Sequence, residues 1–216
     1  MEPFSLVRTL FEPLWWLLPL LILIAFLNPP LVKGWFGEKL VEKKAQRRLD
    51  GEIYRAFHNV TIQDQDGTTQ IDHVYVSRFG IFVVETKNYK GWIFGSEKGA
   101  QWTQTIYKQK NKFQNPLRQN YKHVKALEAL LRLPIQSFHS VIVFTGDCEF
   151  RTSMPANVLT LSNFDKYILS FCQPLLSESQ VEMACQAIDA GRMAPNRSTQ
   201  KAHVRHLKDK HKGLGT

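Results

Sequence analysis

Cysteine is scarce in this chain. Cys148, Cys172 and Cys185 are its only three among 216 residues, and no Cys-x-x-Cys pair occurs. A disulfide framework, a zinc ribbon and a thioredoxin-type redox site are thereby excluded. Acidic residues are also short, 19 Asp and Glu against 28 Lys and Arg, for a formal net charge of +9. A hydrophobic content of 44% excludes a wholly disordered chain. No internal repeat is visible, which excludes a solenoid. Long apolar runs are lacking after the first thirty-odd residues, and the mean hydropathy of −0.26 excludes a polytopic membrane protein.

One apolar run is present. Leu14 to Leu27 reads LWWLLPLLILIAFL, and no charge occurs from Leu14 to Val32. As helix, that stretch is about 28 Å long, near the ~30 Å of a bilayer core. Trp15 and Trp16 stand at one end, where amphipathic rings suit the headgroup layer. The run is apolar on every face, unlike a core helix, and it lacks the basic start and small-residue cleavage site of a secretory signal. The spacing predicts one membrane-spanning helix. Only Arg8 is basic before it, whereas Lys33, Lys39, Lys43, Lys44, Arg47 and Arg48 follow, which predicts a cytoplasmic domain after the span. Residues 33–216 carry +10, from 27 basic and 17 acidic residues. Part of that charge sets orientation, so basicity alone is modest evidence for a nucleic-acid ligand.

After the run, Val41, Ala45, Leu49, Ile53 and Ala56 predict a helix from Glu38 to Phe57. A polar turn at Gln63–Gly67 leads to strands at Thr69–Ser77 and Gly80–Asn88, joined around Arg78-Phe79. A hairpin is expected between Tyr89 and Trp102. Asn115-Pro116 has the chemistry of a helix cap, and the helix should carry Leu117, Tyr121, Val124, Leu127 and Leu131 on one stripe until Pro134. Ser140–Thr145 and Val158–Leu161 are strand signals, and Asn163–Cys172 and Glu178–Ala190 helical ones. The basic tail from Arg197 to Thr216 is expected to be solvated.

A turn centred on Arg78-Phe79 sets Val76 opposite Ile81, Asp72 opposite Glu85 and Gln70 opposite Lys87. Side chains alternate along a strand, so Gln70, Asp72, Glu85 and Lys87 share one face. Two carboxylates about 5 Å apart repel and call for a cation. That face is either an ordinary salt-bridged sheet surface or a site for a divalent metal, for which hard oxygen ligands suit Mg²⁺. Such an ion would polarise a phosphoryl oxygen, with Lys87 assisting the attacking water and Gln70 holding another water.

The words Gly51-Glu52, Gly67-Thr68-Thr69-Gln70-Ile71-Asp72-His73, Gly80-Ile81-Phe82-Val83-Val84-Glu85-Thr86-Lys87-Asn88 and Asn115-Pro116-Leu117-Arg118-Gln119-Asn120, with Gly91, Gly95 and Trp102 between them, occur in this order. In these the chain resembles the NERD (nuclease-related) domain, a branch of the PD-(D/E)xK nuclease superfamily. The resemblance is close from Arg48 to Leu133. It implies an α/β fold with a restriction-endonuclease-like core, a mixed central sheet flanked by helices, here preceded by one transmembrane helix. It implies metal ligation by Asp72, Glu85 and Glu52, the last from the first helix, and a catalytic role for Lys87. Gln119 and His123, four apart on the later helix, resemble a Gln-x-x-x-Tyr element with His in place of Tyr.

The chain therefore reads as an anchor over residues 1–36, a nuclease-like domain over 37–196 and a basic tail over 197–216. The expected function is a single-pass, membrane-anchored nuclease acting on nucleic acid, DNA first, with Mg²⁺ or Mn²⁺ as cofactor. The alternative is a non-catalytic tethered module that binds nucleic acid or a protein on the same fold.

Overall fold

The computed structural model describes residues 19–20, 22–23, 29–64 and 67–193. Most of the Leu14–Val32 run and all of the 197–216 tail lie outside the described residues. Among the described residues no helix is long and apolar enough to cross a membrane. The chain divides into two units between Phe36 and Gly37; the second contains the candidate site.

The first long helix, α1 (Pro29–Arg48), buries Val41, Ala45 and, just past its end, Leu49. It stops earlier than the sequence pattern predicts. The Asp50 carboxylate accepts the Glu52 N–H at 2.9 Å, and its carbonyl accepts the N–H groups of Ile53 and Tyr54. These bonds turn the chain into β1 (Arg55–Asp64), which takes the place of the last helical turns expected up to Phe57. Ile53, expected on the helix stripe, is 45% exposed, while Phe57, Val60 and Ile62 are buried as strand residues.

Strands β1, β2 (Gly67–Ser77) and β3 (Gly80–Lys87) form an antiparallel meander. Val76 pairs with Ile81 and His73 with Val84, the register that the Arg78-Phe79 turn predicts. Next come β4 (Gly91–Phe94), β5 (Gln101–Ile106) and β6 (Gln109–Gln114), then α2 (Pro116–Leu131). β7 (Phe138–Phe144), β8 (Cys148–Phe150), β9 (Val158–Thr160), α3 (Phe164–Leu169) and α4 (Glu178–Gly191) complete the described elements. One sheet has the order β1-β2-β3-β7-β9, with β7 and β9 parallel to β3; the other has the order β6-β5-β4-β8. The parallel return from β3 to β7 requires a long crossover, which the second sheet and α2 provide.

Both faces of the larger sheet are covered, so residues 74–76, 81–84 and 141–144 are continuous buried apolar runs rather than alternating ones. Val83, Val74 and Ile81 pack with Val124 and Leu127 of α2 and with Ala184 and Ile188 of α4. Tyr75, Phe82 and Val84 pack on the other face with Val41 of α1 and with Phe164 and Ile168 of α3. The smaller sheet is seated by Trp102, which stacks on Phe144 at 6.2 Å and is 1% exposed. A Cβ on Gly95 would collide with that indole, which accounts for the glycine.

α2 starts as its sequence predicts. Asn115 caps it by accepting the Leu117 N–H at 2.9 Å, with Pro116 in the first turn. Its buried face differs from the expected stripe. Tyr121 is 60% exposed, whereas Asn120 and His123 join Val124 and Leu127 inside.

Candidate active site

The sheet changes its side-chain alternation at Asp72. Ile71 and Val74 belong to the same core cluster although they are three apart, an odd spacing for one strand face. The irregularity falls at Asp72 and, across β1, at Asn59, whose φ of 52° is left-handed. The β2–β3 ladder ends at His73–Val84, and the Asp72 side chain continues it, with Oδ2 accepting the Thr86 N–H at 2.7 Å. Asp72 is thus brought to Glu85, but as a cap on the β3 backbone.

Glu85, 2% exposed, is held at both oxygens. Lys87 Nζ donates to Oε1 at 2.6 Å, and His123 Nε2 lies 3.1 Å from Oε2. With Glu85 ionised, Nε2 carries the proton, so in the neutral ring Nδ1 accepts from the Thr69 hydroxyl at 2.8 Å. Lys87 also donates to Gln119 Oε1 at 3.0 Å. Gln119 and His123 are one turn apart on α2, so the helix reaches Lys87 with one side chain and Glu85 with the other.

Charge explains the titration of this group. Burial, then the Glu85 and Glu38 carboxylates, push Asp72 well above the usual carboxylate range, against the Thr86 N–H and Lys87. Burial also acts to raise Glu85, but Lys87 and His123 outweigh it and hold that carboxyl below its usual value. Burial works against the charged form of Lys87, yet Glu85 and Asp72 keep it more basic than normal. Glu38 is raised by burial and then by Glu85. Burial and like charge thus work against ionisation of Asp72 and Glu38, while Glu85 and Lys87 stay charged as a pair.

From α1 the charge of Glu38 acts on Glu85 and Asp72, whereas the sequence assigned the acidic role of that helix to Glu52. Glu52 lies in the exposed turn after α1, lining a groove with Arg55, Arg78 and Glu178. Its predicted place depended on a helix that ends at Arg48. Gln70 also misses its expected partner: its amide donates to Asn59 Oδ1 at 3.3 Å rather than meeting Lys87. A signal for Glu38 was present in Gly37, where a Cβ would stand 2.7 Å from Thr145 Oγ1 and 2.9 Å from Asn88 Cβ. A small residue there lets α1 approach the end of β3 and β7. Asn120 was missed as well; its amide donates to the Val83 carbonyl and the Ser140 hydroxyl, both at 2.8 Å, fixing α2 on the sheet.

The donor set suits a hard divalent ion. Asp72 and Glu85 offer carboxylate oxygens, and Mg²⁺ is usually held by one or two carboxylates with water in its remaining positions. Among the described residues, no group of three or more His, Cys, Asp and Glu side chains is arranged to hold a metal by itself.

A mixed α/β fold, with helices flanking a mixed sheet, is consistent with a nuclease-like core. Residues 33–145, a little over half of the chain, match the family model described as nuclease-related domain, NERD. The chain belongs to that family. The match begins before Gly37-Glu38, so it includes the α1 carboxylate as well as the Asp72 and Glu85-x-Lys87 segments. The chain is also 40% identical over 204 residues to an uncharacterized protein of Bacillus anthracis, covering 88% of this chain and 95% of that protein. No solved structure matches.

Proposed function

We propose that the protein is a metal-dependent nuclease that hydrolyses phosphodiester bonds of nucleic acid, DNA first, on a PD-(D/E)xK-type core. In this reading it is tethered to the cell membrane by Leu14–Val32, with its catalytic domain in the cytoplasm. The observation that carries the enzymatic reading is the placement of Lys87. Its ammonium is fixed by Glu85 and Gln119 at the end of β3, where the Asp72 carboxylate caps the same strand through the Thr86 N–H. A structural ion pair needs one carboxylate, not two.

Asp72 and Glu85 would hold Mg²⁺ or Mn²⁺, with Glu38 rather than Glu52 adding the third negative charge. When bound, the ion supplies Lewis-acid polarisation of a phosphoryl oxygen. Lys87 orients the attacking water and stabilises charge that develops on the phosphoryl oxygens. His123 locks the Glu85 carboxylate through Oε2, and Gln119 limits the freedom of the Lys87 ammonium.

The test is cleavage of end-labelled DNA by the full-length chain with Mg²⁺ or Mn²⁺. Asp72→Ala and Lys87→Ala should each lower the rate by about 10²-fold or more, and EDTA should abolish it. Equal cleavage by wild type and both variants would trace the activity to a contaminant and overturn the assignment.

A second reading, a non-catalytic module that binds nucleic acid or a protein, is favoured by the lack of a three-ligand metal cluster among the described residues. Nucleic-acid binding that falls with salt, without cleavage and without change in Lys87→Ala, would establish it.

A further inference from the structure

The smaller sheet has one face packed on the core and one open face. Ile93 and Trp102 point inward. Alternation and pairing then set the open face: Trp92 and Phe94 on β4, Gln101 and Thr103 on β5, and Lys110, Lys112 and Gln114 on β6, with Thr105 in the same register but buried. Trp92 is 47% exposed and Phe94 37%, unusual for aromatics on a sheet that already has a buried side. Across the strands, Thr105 is flanked by Trp92 and Lys110, and Thr103 by Phe94 and Lys112, so aromatic and ammonium groups form two parallel rows. Arg151 lies over the Trp92 ring at 4.9 Å and donates to Glu149 at 2.7 Å, which neutralises the carboxylate of β8 beside the indole. Tyr107, 97% exposed with φ of 53°, caps the turn between β5 and β6 beside Lys108.

Lysines on an edge strand such as β6 also deter edge-to-edge pairing. That role does not call for exposed aromatics on β4, an inner strand of this sheet. Rings that can stack with bases, next to ammonium groups that can meet phosphates, are the surface chemistry of single-strand binding. In a duplex the base faces are already stacked, so rings on an open sheet have nothing to receive.

The sheet is also rooted beside the candidate site. β4 begins four residues after Lys87, within about 14 Å even if fully extended. The Lys87 carbonyl accepts the Thr145 N–H, the Gly91 N–H donates to Asp147, and Gln104 donates to the Lys90 carbonyl. These bonds tie the start of β4 to the end of β3.

We propose that the open face of β4, β5 and β6 is a docking platform for single-stranded DNA, which it holds next to the Asp72, Glu85 and Lys87 site. The proposal rests on the nucleolytic reading for its purpose, but not for its test.

The test is fluorescence anisotropy with a labelled single-stranded DNA 20-mer and the corresponding duplex, using the full-length chain in EDTA so that no strand is cut. Wild type should bind the single strand more tightly than the duplex. Trp92→Ala should weaken single-strand binding by about 5- to 150-fold, the range for loss of one stacked base, while Trp92→Phe retains it. The double variant Lys110→Glu with Lys112→Glu should reduce the magnitude of the slope of log K against log salt by about 1.4, for two lost phosphate contacts on a single strand. A control with the same charge change on exposed helix positions, Lys122→Glu with Lys166→Glu, should retain the wild-type preference for single strand. Binding by the Trp92→Ala and double-lysine variants that matches the control, or duplex binding as tight as single-strand binding by wild type, would overturn the proposal. Hydrolysis of bis(p-nitrophenyl) phosphate, too small to span to the platform, separates the two readings. Platform variants should keep that metal-dependent activity, whereas failure of the nuclease reading would remove it from wild type and leave the EDTA binding result to decide the platform alone.

Discussion

At Gly37 the absence of one carbon lets α1 pass close to Thr145 and Asn88, and the next residue, Glu38, feels both Glu85 and Asp72. Glu52 has the same chemistry and the same preceding glycine, yet stands exposed in a turn. The two glutamates therefore separate composition from position. Glu38→Gln should raise the Mg²⁺ concentration needed for half-maximal cleavage by about tenfold or more, the effect of an interaction of roughly 1.4 kcal/mol with the ion. Glu52→Gln should leave the Mg²⁺ titration at its wild-type midpoint. A shift with Glu52→Gln and none with Glu38→Gln would reverse the assignment. Gln119 and His123 were legible as a pair because residues four apart on a helix share a face. That the face was covered, and by Glu85 and Lys87, was not legible from spacing.

Among the elements, α1 depends on its far end as much as on the site. Asp165, at the start of α3, lies 2.9 Å from both Lys44 Nζ and Arg48 Nε. Burial acts to raise this carboxyl, but the two cations hold it down at about 2. Its folded value is below the usual value near 3.8, so this stabilisation is present at neutral pH and is lost as pH falls from about 4 towards 2. Asp165→Asn should cost about 1–2 kcal/mol at pH 7, a figure reduced for the solvent exposure of Arg48. Thermal melts would show the Tm difference between wild type and Asp165→Asn shrinking as pH falls to 2; a difference that stays constant would mean the ion pairs are not its source. The strand β1 was hidden from the sequence by a helical spacing that continues past Leu49. Asp50 breaks that continuity through three local hydrogen bonds, and tertiary burial of Phe57, Val60 and Ile62 then favours a strand.

On the scale of the whole molecule, the charge pattern and the apolar run make a claim about location that is separate from the chemistry of the site. The full-length chain should sediment with membranes and resist extraction by high salt and alkaline carbonate, and a chain lacking residues 1–32 should be released. Release of the full-length chain by salt alone would instead assign the attachment to the basic residues and remove the single-pass anchor from the reading. Nuclease activity on a small phosphodiester should be the same in both chains, since Asp72, Glu85 and Lys87 are placed by elements after Phe36.

What the amino-acid order determined by itself is local. The Arg78-Phe79 turn set the β2–β3 register, Asn115-Pro116 began α2, and the Glu85-x-Lys87 alternation put both groups on one side of β3, because turn geometry and strand period act over a few residues. Tertiary structure decided what meets across long separations. It put Glu52 in an exposed turn, covered His123 with Glu85 and Thr69, diverted Gln70 to Asn59, and left Trp92 and Phe94 open beside Lys110 and Lys112. Those outcomes depend on how closely helices approach the sheet and on which faces are left uncovered, and periodicity specifies a face without specifying its neighbour.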